Sequence, residues 1–185
     1  MAHTPNKPLR TKFVYRRCHP GDYQALRFLV RESWPVDMRD QVDDILKDAL
    51  THPDSTAIFA CFANDDAVAY AQVSVRQEYT EGASTYPIAY LDALYIRQNL
   101  RPLGVGQRLV DLVTTYVNSL GMEELAADCL SSDLQQFELL LQSAYLHTTE
   151  RTVGKQTTIF VQSGFEEVSQ MTHFVKSIPL KMRRS

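Results

Sequence analysis

The sequence predicts an α/β fold, one mixed and largely antiparallel sheet flanked by helices. Three observations carry this. Short apolar runs rich in β-branched and aromatic residues, at 13–17, 56–63, 67–79, 88–96 and 125–129, read as strands. Helical periodicity separates some of these runs and not others. The order becomes one strand, two helices, three strands on short turns, a helix, a strand, two helices and closing strands, which suits helices layered on a single sheet. Finally, residues 88–121 pass from a buried strand through a two-glycine turn into a long amphipathic helix, and the remaining elements are arranged around that unit.

A chain of 185 residues suits one domain with a sizeable core. We expect an N-terminal arm at 1–12, a single domain at 13–180 with an extra segment at 134–153, and a short basic tail at 181–185. A hydrophobic share of 44% and a charged share of 22% are ordinary for a soluble globule. The net charge of −3 argues against nucleic-acid or anionic-membrane partners and tolerates a cationic substrate. Three cysteines without C-x-x-C spacing argue for a reducing, cytoplasmic setting and against a disulfide frame or a metal site. No secretory leader is read in MAHTPNKPLRTK, and no run approaches the ~20 apolar residues of a membrane span.

Phe13–Arg17 is the first strand. Pro20-Gly21-Asp22 opens a helix whose inner stripe is Ala25, Leu26, Leu29 and Val30. The helix fades at Ser33-Trp34-Pro35, because the residue before a proline avoids the helical region. A second helix over 36–51 turns Val42, Ile45, Leu46, Ala49 and Leu50 inward. Its acids Asp37, Asp40, Asp43, Asp44 and Asp48 read as a solvated face, with Asp37 near enough to the Trp34-Pro35 break to line a cleft.

Thr56–Ala63 and Ala67–Tyr79 form a hairpin about Asn64-Asp65-Asp66. A Gly/Ser loop at 80–87 leads to the central strand, 88–96. In the helix that follows, Val105, Leu109, Val110, Val113, Val117 and Leu120 recur at helical spacing, and Gly121 is a natural stop. Leu125–Cys129 is a fifth strand. Helices are expected at 134–147 and, more weakly, at 155–163, with closing strands at 167–169 and 171–178.

The turn Arg101-Pro102-Leu103-Gly104-Val105-Gly106 opens directly into a helix. Orphan amides of a first turn, the helix dipole and glycine's lack of a side chain together make an anion site. The spacing is neither the dinucleotide G-x-G-x-x-G nor a P-loop with its G-K-[ST]. Within the central strand, Asp92 is an acid in an otherwise apolar run, costly unless partnered or functional. Two readings of it stand: a proton acceptor, or an acid paired with a neighbouring strand's cation such as Arg76.

Arg-x-x-Gly-x-Gly after a strand, with the element order and Gly164-Phe165 near the end, resembles the GNAT acetyltransferases. Four stretches narrow the likeness to the small bacterial aminoglycoside 6′-N-acetyltransferases: Ser33-Trp34-Pro35, residues 74–82 (SVRQEYTEG), residues 87–96 (PIAYLDALYI) and Ala126-Ala127-Asp128-Cys129. The resemblance spans Trp34–Asp133 and Gly164–Ile178. It implies a V-shaped splay at the central strand. Acetyl-CoA, as co-substrate, would pair its pantetheine arm with the backbone of Leu94, Tyr95 and Ile96. Its pyrophosphate would lie on Arg101, Pro102, Leu103, Gly104, Val105, Gly106 and Gln107, and Asp133 stands where relatives place a CoA-contacting Asn.

By the same likeness Asp92 takes the proton of the attacking amine, directly or through water. It is shorter than the Glu usual in relatives. Trp34, Asp37, Tyr79, Asp92 and Asp128 would hold the amine substrate. Trp34 and Tyr79 read alternatively as core aromatics, and Asp128 as a cap of the following turn. The resemblance implies acetyl transfer to a cationic small-molecule amine, the 6′-amine of an aminoglycoside, as in antibiotic resistance. A polyamine or protein amine, or a non-catalytic acyl-CoA-binding role, are the competing readings. Phe160 departs from the pattern, since it replaces the Tyr or His that protonates the leaving thiolate. The apolar segment 134–153 is the second departure, and with the closing strands it makes a homodimer the expected assembly.

Overall fold

The computed structural model describes residues 12–34, 36, 39–78, 84–130 and 171–177, with 128–130 and 171–177 described through their backbone. In chain order the elements are β1 (Phe13–Arg17), α1 (Tyr23–Ser33), α2 (Arg39–Thr51), β2 (Thr56–Ala63), β3 (Asp66–Arg76), β4 (Ile88–Ile96), α3 (Val105–Ser119), β5 (Glu124–Leu130) and β6 (Met171–Ser177). The six strands lie side by side in sequence order, β1-β2-β3-β4-β5-β6. All pair antiparallel except β4 with β5, which are parallel. Only that parallel step needs a crossover, and α3 supplies it.

Both faces of the sheet are covered, so β2 is apolar throughout rather than alternating. On one face Ala57, Phe59 and Cys61 pack with Leu109, Val113 and Val117 of α3. On the other, Ile58, Ala60 and Phe62 pack with Leu26 and Leu29 of α1 and Val42 and Leu46 of α2. Leu109, Val113 and Val117 are fully buried, each worth about 1.5–3 kcal/mol relative to exposure.

Polar contacts fix the helices on this face. Asp22, at the foot of α1, accepts two hydrogen bonds from the Arg16 guanidinium, at 2.6 and 2.7 Å, and one from the His19 amide at 2.9 Å. Asp43 of α2 accepts from Arg27 of α1 at 2.6–3.0 Å, so this acid clamps the helix pair instead of lying free on a solvated face.

Four expectations are corrected. Ile45 is 37% exposed, because it sits at the edge of the Val42–Leu46–Ala49 stripe. Leu120 is 44% exposed, for the chain has already left the helix there and reverses at Gly121, φ 76°. β3 ends at Arg76 rather than Tyr79, where its pairing with Ile88 at the start of β4 runs out. α2 begins at Arg39 rather than at 36. The helices expected at 134–147 and 155–163, the strand at 167–169 and Phe160 lie outside the described residues.

Candidate active site

β4 changes parity halfway along. Val73 of β3 stands opposite Leu91, and the next residue back, Gln72, stands opposite Ala93. Asp92 is therefore the extra residue of a β-bulge. Core membership records the switch: Ala89 and Leu91 pack with the α3 cluster before it, Leu94 and Ile96 after it. Ala93 and Tyr95 pack with the α1/α2 cluster. Without the bulge, alternation would send Leu91 and Ala93 to one face.

At the same point β4 leaves β5. Their parallel pairing covers Ala89–Leu91 against Leu125–Ala127 and goes no further, although β4 runs on to Ile96 and β5 to Leu130. Beyond Leu91 the edge of β4 turned away from β3 carries no strand partner among the described residues. This is the splay, and Asp92 stands at its apex. Its side chain is 21% exposed while the residue as a whole is exposed, so much of its open surface is main chain.

Asp92 is also partnered. Arg76 Nη2 donates to Asp92 Oδ1 at 2.8 Å, and the guanidinium carbon lies 3.2 Å from the centroid of the Tyr90 ring. The paired reading of Asp92 is thus realised.

At the far end of β4 the chain enters a 3₁₀ turn, Gln98–Leu103, in which no residue is buried. Arg101 Nε folds back to donate to the Ile96 carbonyl at 3.2 Å, closing the turn onto the strand. Gly104 has φ 70°, the left-handed region, and a Cβ there would meet nothing within 4 Å. α3 then starts with no side-chain cap. The amides of such a first turn lie at the positive end of the helix dipole. Gly106, in the first turn of α3, is buried.

Trp34 closes α1 with an extended backbone, ψ 150°, and is partly buried against the α1/α2 cluster, as its core reading expects. Asp128 is a β5 residue one position beyond the last β4–β5 pair, Leu91 with Ala127, and stands in register with His173 of β6. Asp37, Tyr79 and Asp133 lie outside the described residues.

Two acids matter that the sequence did not single out. Glu32 of α1 accepts from the Tyr95 hydroxyl at 2.8 Å and from Arg97 Nε at 3.3 Å, tying α1 to the end of β4. Glu124, 7% exposed, accepts four hydrogen bonds from the amides and hydroxyls of Ser84 and Thr85. Burial pushes its carboxyl up, but those bonds together outweigh burial and hold it below the usual range. Neither acid carried a local signal, because the partners lie 63, 65, 39 and 40 residues away.

Beyond Leu91 β4 thus presents an edge without a strand partner among the described residues, with Asp92 at the point of departure and the uncapped N-terminus of α3 beyond it. Residues 17–140 match the Acetyltransferase (GNAT) family, and the chain belongs to that family. It is an N-acetyltransferase whose acetyl donor is acetyl-CoA.

Among similar proteins, an aminoglycoside N(6′)-acetyltransferase type 1 of Stenotrophomonas maltophilia is 26% identical over 159 residues, 86% of this chain and 90% of that protein. Its namesake from Serratia marcescens is 28% identical over 77% of this chain and 97% of its own length. The aminoglycoside N-acetyltransferase AAC(6′)-Iy in complex with CoA shares the fold, with a TM-score of 0.70 at 21% identity over 82% of this chain and 98% of that one. The same enzyme with the bisubstrate analogue CoA-S-monomethyl-acetylneamine gives 0.69 at 21% identity, over 78% and 97%. Among the described residues no helix is long and apolar enough to cross a membrane.

Proposed function

We propose that this enzyme acetylates the 6′-amine of an aminoglycoside. The position of Asp92, on a bulge at the parting of β4 from β5, carries the reading of the chemistry. The names of the relatives support the choice of amine. The amine nitrogen attacks the thioester carbonyl, the C–S bond breaks, and CoA leaves as a thiolate that is then protonated. The nitrogen gives up its proton to Asp92, directly or through a water. A backbone N–H of β4 beside the thioester stabilises the developing oxyanion. Leu94, Tyr95 and Ile96 hold the pantetheine arm, and residues 101–107 and Asp133 the phosphate end. Trp34, Asp37, Tyr79 and Asp128 hold the sugar and its other amines. Direct transfer fits the described cysteines, since Cys18 and Cys61 are buried and neither is activated as a nucleophile. Those free thiols also support a cytoplasmic setting, and the apolar composition of 134–153 supports a homodimer.

The test is release of free CoA thiol with acetyl-CoA and kanamycin, tobramycin, spermidine or a peptide amine. Rapid release with the aminoglycosides is expected, and silence with both would overturn the reading. Asp92→Asn is expected to lower kcat at least about a hundredfold, as for loss of a general base, with acetyl-CoA affinity unchanged. Native turnover in that variant would remove Asp92 from the chemistry.

A further inference from the structure

Asp92 holds a cation before any substrate arrives. Arg76 ends β3 directly opposite Ile88. From there its side chain crosses the Tyr90 ring, 3.2 Å from the centroid, to put Nη2 2.8 Å from Oδ1 of Asp92. The guanidinium therefore has two seats, one on the ring and one on the carboxylate. The ring seat does not depend on the carboxylate, because the face of an aromatic ring attracts a cation by itself. The ion pair is single-pronged, and Oδ2 of Asp92 has no hydrogen-bond partner among the described residues. Arg76 is 43% exposed, so water can take over the hydrogen bond it gives up.

A substrate amine arrives as an ammonium and needs the same carboxylate. A guanidinium and an ammonium held a few ångströms apart repel one another. We infer that Arg76 is a specificity-determining residue, an internal stand-in for the substrate ammonium that occupies Asp92 in the free enzyme. It yields the carboxylate to an entering amine while keeping its seat on Tyr90. The inference rests on the reading that Asp92 receives the amine. Two consequences follow from the geometry. The acid at the apex of the splay stays paired and oriented while the cleft is empty. Every amine must also outbid one ion pair, which raises the threshold for weakly held cations.

The experiment measures kanamycin affinity for the CoA-loaded enzyme by titration calorimetry, with no turnover. Arg76→Gln is expected to bind kanamycin roughly fivefold more tightly, the worth of one partly exposed ion pair, with CoA affinity unchanged. Arg76→Lys, which keeps the charge, is expected to stay near the native value. In an Asp92→Asn background the gain from Arg76→Gln is expected to vanish, which a merely structural role of Arg76 would not produce. Unchanged or weaker binding in a folded Arg76→Gln enzyme overturns the inference, as does equal tightening in Arg76→Lys. So does a gain that survives in the Asp92→Asn background, for that is the general field of one lost charge. If Asp92→Asn alone leaves both turnover and kanamycin affinity native, the reading of Asp92 itself falls and takes the inference with it.

Discussion

Replacing Glu124 by Gln tests how the start of β5 is fastened to the chain before β4. Glu124 is 7% exposed and takes four donors, the amide and hydroxyl of Ser84 and the amide and hydroxyl of Thr85. Three of the donors go to Oε2 and only the Ser84 hydroxyl to Oε1, so a Gln side chain with its oxygen at the Oε2 position keeps three bonds, without their charge, and turns an NH₂ toward the fourth donor. Losing that bond and the charge on the others should cost about 1–3 kcal/mol. For a chain of this size that lowers Tm by roughly 2–12 °C. The acid limb should change as well. The folded carboxyl lies below its ordinary value, so the unfolded chain binds its proton more readily. Its contribution is complete above the unfolded pKa of about 4.3 and is lost as pH falls through the lower folded value. Stability by urea titration across that range should therefore fall less steeply for Glu124→Gln than for the native enzyme. Some slope remains in both, because Asp22 and Asp43 are likewise held low, first of all by their arginine hydrogen bonds. A stability loss under about 1 kcal/mol, or an unchanged acid slope, would refute the assignment of all four bonds to one ionised carboxylate.

Two further outcomes are open to direct measurement. Gly104→Ala introduces no clash, since its Cβ meets nothing within 4 Å, but it forces alanine to φ 70°. The expected cost is about 1–2 kcal/mol of stability, with a several-fold rise in the KM of acetyl-CoA and none in that of the amine; equal changes in both would move the phosphate site elsewhere. Cys18, whose thiol burial pushes up to about 12, and Cys61, fully buried with its thiol also raised, should resist iodoacetamide in the native enzyme at about pH 8 and react once it is unfolded. Modification of either in the native state, read by peptide mass spectrometry, would contradict their placement.

Local pattern carried most of the fold. Phe13–Arg17, Thr56–Ala63 and Ile88–Ile96 stand where their apolar runs placed them, and the stripe of α3 faces the sheet apart from Leu120. Asp92 was visible for the same reason: a carboxylate within an apolar strand needs a cause. Arg76 was visible as its alternative partner, and the structure pairs the two. The bulge was not visible. Leu91, Leu94 and Ile96 all face α3, a spacing that regular alternation forbids, and only the register with Val73 and Gln72 reveals which residue is extra. Glu32 and Glu124 carried no such signal, because nothing near them in the chain announces Tyr95, Arg97, Ser84 or Thr85.

The sequence by itself determined most of the described strands and helices, the two-glycine entry to α3 and the presence of an acid, Asp92, within an apolar strand. Each of these follows from side-chain size, polarity and backbone freedom within a few residues of chain. Only the tertiary structure decided where β4 parts from β5, which residue the bulge displaces, and that a cation already rests on Asp92. Those depend on register between strands and on reach between side chains such as Arg76 and Asp92, which are set when distant segments pack.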